Sequence, residues 1–165
     1  MLDILEFKEK IEYGLTKCDY PAKKYFALWC CQSLFDEFGE ALSNRCLSDN
    51  AKFLDQAWIN NLTKIDYQNQ KNFLISLEWE EDVESIESFG VIELIESLIN
   101  LCEFLICNDT QFISNISERL INRADYEESM FSKGGLVEKE QALHFDLINL
   151  LSENDIPVNR KVFRS

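Results

Sequence analysis

Few residues in this chain are equipped for chemistry. It has one histidine, His144, and six cysteines, Cys18, Cys30, Cys31, Cys46, Cys102 and Cys107. A lone imidazole supplies a hydrolase triad only with a serine or cysteine beside it and an acid to orient it, and no nucleophile-elbow motif marks such a serine. His144 therefore reads as a structural histidine. Facing carboxylates in a helical bundle hold paired metals when Glu-x-x-His pairs accompany them. Here the residue three before His144 is Gln141. The acids Glu93, Glu96 and Glu103 share a helical stripe with Asn100, which reads as a solvated face. The cysteines form no C-x-x-C pair, and Cys30-Cys31 and Cys102 sit in apolar runs where a free thiol behaves as a small hydrophobe. Gly134-Gly135 lacks the following Lys-Ser/Thr of a phosphate loop. The expectation is a chain with no catalytic residues, no cofactor and no metal.

Charge is the more informative signal. From Asn72 to Glu118 there is no lysine or arginine, but there are eleven carboxylates, which account for -11 of the formal net charge of -14. They are densest around a tryptophan. Glu78, Trp79, Glu80, Glu81, Asp82, Glu84 and Glu87 form the candidate partner-binding segment, an aromatic anchor with a rim of acids. Such a surface repels nucleic acid and anionic membrane and draws a basic protein from a distance. The basic residues are scattered as pairs such as Lys23-Lys24 and Arg160-Lys161, far from a nucleic-acid stripe.

The elements that must carry these residues read as helices. Only 5 Gly and 2 Pro punctuate 165 residues that are 46% hydrophobic, so helices and a packed core are expected. Ile4, Phe7, Ile11 and Leu15 mark the first. Asp19-Tyr20-Pro21 starts the second, whose stretch Tyr25–Phe38 is apolar on nearly every face. Ser48-Asp49 and Asp66 are the expected caps of the next two, and the acidic run from Glu78 to Glu84 reads as a helix end and loop. Phe89-Gly90 opens an apolar helix over Val91–Ile106, Asp109 caps another, and Gly134-Gly135 separates it from the last. Ile156–Lys161 reads as a short tail or cap. The result is an all-α fold, a single-domain bundle of about seven helices over residues 1–165. The N-terminus carries acids where a signal peptide needs bases, and no apolar run reaches the ~18–20 residues of a membrane span, so a cytoplasmic location is expected.

Three segments together resemble a known family. Lys24-Tyr25-Phe26-Ala27-Leu28 runs on through Cys31 and Phe35, with Trp58 some twenty residues later. Phe89-Gly90-Val91 leads into the Glu-rich apolar helix ending near Leu105. Glu140-Gln141-Ala142-Leu143 continues through Leu150-Leu151-Ser152-Glu153. In order and spacing these are similar to the YjaG-like family of bacterial helical proteins, known as domain of unknown function 416, over roughly residues 20–153. The resemblance implies an all-α bundle and transfers no catalytic residue. Charge and size favour an acidic cytosolic immunity (antitoxin) protein that binds and neutralises a basic bacterial toxin domain, a nuclease being the natural target because phosphate-binding proteins are basic. The alternative expectation is a helical regulatory or signalling adaptor of the YjaG-like type without enzymatic activity.

Overall fold

A computed structural model describes residues 1–42, 44–77 and 86–164, with the side chains of 44–46 and 86–88 outside that description. Among the described residues the chain forms seven α-helices and no strand. They are α1 (Ile4–Leu15), α2 (Tyr20–Phe38), α3 (Asn44–Trp58), α4 (Lys64–Ser76), α5 (Ile86–Cys107), α6 (Thr110–Phe131) and α7 (Leu136–Ser152). A 3-10 turn, Gly39–Ala41, follows α2.

The boundaries follow from local chemistry. Asp19 caps α2 by accepting the Ala22 N–H at 3.0 Å, with Pro21 in the first turn, where a missing N–H leaves nothing unpaired. Asp109 caps α6 in the same way through the Gln111 N–H at 2.9 Å. Two expected starts are corrected. α3 begins at Asn44, so Ser48 and Asp49 lie inside it, on its exposed side, rather than at its cap. The N-cap of α4 is Thr63, and Asp66 is the third helical residue of a reciprocal capping box. The Thr63 N–H donates to Asp66 Oδ2 at 2.8 Å, and the Asp66 N–H donates to Thr63 Oγ1 at 3.4 Å. At Ser132 and Gly135 the backbone turns left-handed, which ends α6 and re-aims the chain into α7. The free start of α7 borrows its cap from α6, because the Val137 N–H donates to Glu128 Oε1 at 3.1 Å.

The helices pack as a single bundle around α2 and α5. In α2 every residue from Lys24 to Cys31 is buried, two full turns without an exposed position, as an all-round apolar helix requires. α5 packs most extensively on α6, then on α4 and α2, while α1 lies across α6 and α7. α5 starts at Ile86 and not at Phe89-Gly90, so Gly90 sits inside the helix, and its role is close packing. A Cβ at Gly90 would stand 2.2 Å from the Phe38 ring of α2. No helix among the described residues is long and apolar enough to cross a membrane.

The last stretch, residues 153–164, is neither a helix nor a free tail. The Trp29 indole N–H donates to the Val162 carbonyl at 2.8 Å, and the Tyr25 hydroxyl donates to the Asn159 carbonyl. Phe163 adopts a left-handed φ of 65°, rare for a bulky side chain, between the anchored Val162 and Arg164. The segment thus lies as a strap along the N-terminal half of α2.

The Gly90 contact gives the first prediction. Gly90→Ala is expected to destabilise the fold by about 1–3 kcal/mol in urea unfolding, despite the higher helix propensity of alanine, because the buried Phe38 ring must move. Adding Phe38→Leu should restore part of the loss. A neutral or stabilising Gly90→Ala would mean that α5 does not approach α2 so closely.

Candidate functional site

Five of the eleven segregated carboxylates lie on described side chains, and the fold largely neutralises them. Glu103 meets Lys71 of α4 at 2.9 Å, Glu118 meets Lys8 of α1 at 2.7 Å, and Glu93 lies 3.6 Å from Arg119 of α6. Asp109 is spent on the cap of α6, which leaves Glu96 exposed. The expected solvated stripe is therefore corrected. Its first member, Glu93, is 4% exposed, Glu103 is ion-paired, and the Asn100 Oδ1 accepts a bond from Asn115 Nδ2 at 3.2 Å. The bases come from just outside the segment in sequence or from a distant helix, so only the fold brings them in.

Glu78, Trp79, Glu80, Glu81, Asp82 and Glu84 lie outside the described residues. Glu87 falls in the first turn of α5, its side chain also outside the description. Their place in the chain is nonetheless defined, since they join the end of α4 at Ser76 to the start of α5 at Ile86.

His144 has the partners that sequence spacing did not reveal. It is fully buried on α7. Its Nδ1 lies 2.5 Å from Ser117 Oγ of α6, and its Nε2 lies 3.0 Å from Glu140 Oε1, one turn earlier on its own helix. Burial holds the ring neutral by pushing its pKa below the usual range, against the pull of Glu140. An ionised carboxylate only accepts, so Nε2 carries the proton and Nδ1 accepts the Ser117 hydroxyl. Arg164, from the strap, completes the set with Nη1 3.2 Å from Glu140 Oε2 and Nη2 bonded to Oε1. Burial alone would raise the Glu140 carboxyl, but the His144 hydrogen bond and the Arg164 guanidinium outweigh it and bring it down to about 2.

Serine, histidine and glutamate stand here within hydrogen-bond reach, yet the order is unlike that of a hydrolase. Ser117 and His144 are both 0% exposed, so no substrate carbonyl reaches the hydroxyl. Aromatic rings close the remaining sides, with Phe7, Phe26 and Trp29 all within 5.7 Å of the imidazole centroid. What the arrangement does is join α6, α7, α2 and the strap. The sequence offered one usable signal for it, the i,i+4 spacing of Glu140 and His144. Ser117 and Arg164 gave none.

Four of the five described thiols are sealed in the same way, and Cys107, at the end of α5, is exposed. Cys18, Cys30, Cys31 and Cys102 are buried and free, and burial lifts Cys30 and Cys31 well above the ordinary thiol range and Cys102 to about 12. Among the described residues no three His, Cys, Asp or Glu side chains gather as a metal site would require. No family model, curated protein or solved structure matches the chain.

Two predictions follow from the buried acids, with opposite signs. Glu140 is held below its unfolded value of about 4.3, so its contribution is full above that pH and disappears as the pH falls toward about 2. Glu140→Gln should cost about 3 kcal/mol at pH 7, because Arg164 loses its counter-charge, and the gap to wild type should close in acid. Glu93 behaves in reverse. Burial raises it to about 7 against the pull of Arg119, and its Oε2 has no hydrogen-bond partner. The folded state then holds the proton that the unfolded state releases, so stability falls as pH rises from about 4.5 to about 7. Glu93→Gln should stabilise the protein by about 1–3 kcal/mol at pH 8 and match wild type near pH 5. Unfolding curves from about pH 2 to pH 5 check Glu140 and from about pH 5 to pH 8 check Glu93, and parallel curves for variant and wild type would contradict them.

Proposed function

We propose that the chain is an acidic protein-binding module of the immunity (antitoxin) type, which docks on and neutralises a basic toxin domain. The observation that carries the reading is the charge left after pairing. Lys8, Lys71 and Arg119 answer three acids of the base-free segment, and a cap absorbs a fourth. Of the seven that remain, one is the exposed Glu96 of α5 and the other six lie between Glu78 and Glu87, gathered around Trp79. Eight of the chain's 16 bases are already in ion pairs among the described residues, and none of the 16 lies between Asn72 and Glu118. A patch of one sign steers an oppositely charged partner and raises its association rate more than it deepens affinity. A nuclease domain carries the complementary charge because it binds phosphates.

The imidazole supports the same reading. Both ring nitrogens of the only histidine are occupied and sealed from solvent, which leaves it unable to exchange protons with a substrate. A regulatory adaptor of the YjaG-like type would use the same acidic surface and differ in its partner.

Tagged protein used as bait in its source cells tests the reading, with the triple reversal Glu80→Lys, Glu81→Lys and Glu84→Lys as the paired control. The expected catch is a basic toxin domain whose toxicity the wild type relieves on co-expression. The reversal should slow association at least several-fold while the circular dichroism and melting stay close to wild type. Physiological salt, where the Debye length shrinks to about 8 Å, should slow wild-type association as well. Trp79→Ala should cost on the order of 2 kcal/mol of binding. Undiminished capture and rate in the triple reversal would remove the acidic segment from the interface.

A further inference from the structure

A cavity lies between the first turns of α2, the end of α3 and the strap. Its volume is ≈ 520 Å³, within the ~300–1,000 Å³ range of small-molecule sites. Its walls are apolar and largely aromatic, with Tyr20 and Tyr25 from α2, Trp58 from α3 and Pro157 from the strap. Trp58 and Tyr25 meet edge to face at 5.4 Å, and the Trp58 indole N–H is fixed on Gln32 Oε1 at 3.0 Å. These rings are held in place before any ligand arrives.

The polar lining runs against the rest of the molecule. In a chain of net charge -14, two cations and no carboxylate line this cavity, the cations being Lys24 and Arg160. Arg160 is already answered by Asp55 at 3.2 Å and lies over the Trp58 ring. Lys24 is not. It is 7% exposed, and its ammonium donates to the side-chain oxygen of Asn60, a neutral acceptor, with no carboxylate among its described partners. Asn60 is held in place by a left-handed backbone (φ 56°) at the turn after α3, a conformation asparagine tolerates. A buried cation is ordinarily paired with an anion. Burial depresses the Lys24 pKa, a desolvation that a bound anion would offset.

We propose that this cavity is a binding site for a small organic acid, with the carboxylate on the Lys24 ammonium and the Asn60 amide and a flat apolar body between Tyr20, Tyr25 and Trp58. A single uncompensated cation matches a single negative charge, which favours a carboxylate over a phosphate dianion. The strap supplies one wall through Pro157 and Val158, so occupancy also fastens residues 156–160 against α2. None of the lining residues belongs to the acidic segment, and the proposal does not depend on the protein-binding reading.

The test titrates the full chain with 3-phenylpropionate, 3-phenylpropionamide and phenyl phosphate, followed by calorimetry and by the Trp58 indole resonance. The expected result is saturable binding of the acid at least tenfold tighter than that of its amide, with the Trp58 resonance shifting on binding. In Lys24→Met the acid should fall to the affinity of the amide. Equal affinity of acid and amide for the wild type, or no saturable binding of the acid, would overturn the proposal without recourse to a variant. Tighter binding of phenyl phosphate would overturn the carboxylate assignment.

Discussion

One buried carboxylate is the point at which α7, the strap and, through His144, α6 are tied together by hydrogen bonds. Glu140 accepts from His144 on its own helix and from Arg164 on the strap, and His144 accepts in turn from Ser117 on α6. The Arg164 guanidinium lies 4.1 Å over the Trp29 ring of α2, and the same ring meets the imidazole edge-on at 5.4 Å. Three helices and the C-terminal segment converge there on one negative charge. In a low-dielectric interior such a group is tolerable only when every lone pair is answered, and removing one partner leaves a charge or a donor stranded. Apolar burial supplies the driving force for the bundle, whereas this network specifies how its last helix and its strap are seated.

The consequences extend outward from the strap. Its position on α2 is set by Arg164 at one end and by the Tyr25 and Trp29 hydrogen bonds along its length. The segment just before those anchors walls the cavity at Lys24, and Lys161 reaches Asp36 at 2.8 Å. The strap bases pair with acids on α2, α3 and α7, while Lys8, Lys71 and Arg119 pair with acids of α5 and α6. The fold thus commits seven of its 16 cations to ion pairs that tie helix to helix and strap to helix.

Local signals in the sequence were legible where the cause was local. The caps at Asp19 and Asp109 and the all-round apolar runs of α2 and α5 depend on neighbours in the chain, and they were read correctly. The start of α4 was misplaced because Asp66 and Thr63 cap each other, and the acid is the more conspicuous of the two. The stripe of Glu93, Glu96, Asn100 and Glu103 has helical spacing, but whether each member meets water, as Glu96 does, or another helix is a tertiary matter. Arg119 and Lys71 decided it. His144 has Ser117 as a partner 27 residues away, and Arg164 reaches Glu140 from 24 residues away, and neither carries a motif. Lys24 was visible only as half of a basic pair, since its isolation from any carboxylate is a property of the folded cavity. The acids around Trp79 were evident from the charge count alone, and their docking role rests on that count.

The central claim, that Glu140 is ionised and fixes a neutral imidazole, is tested most directly by ¹⁵N-resolved NMR of the His144 ring through a pH titration. The account predicts a ring protonated on Nε2 that stays neutral to lower pH than an ordinary histidine does. An imidazolium signal appearing at the ordinary pKa, or a ring protonated on Nδ1 at neutral pH, would contradict it.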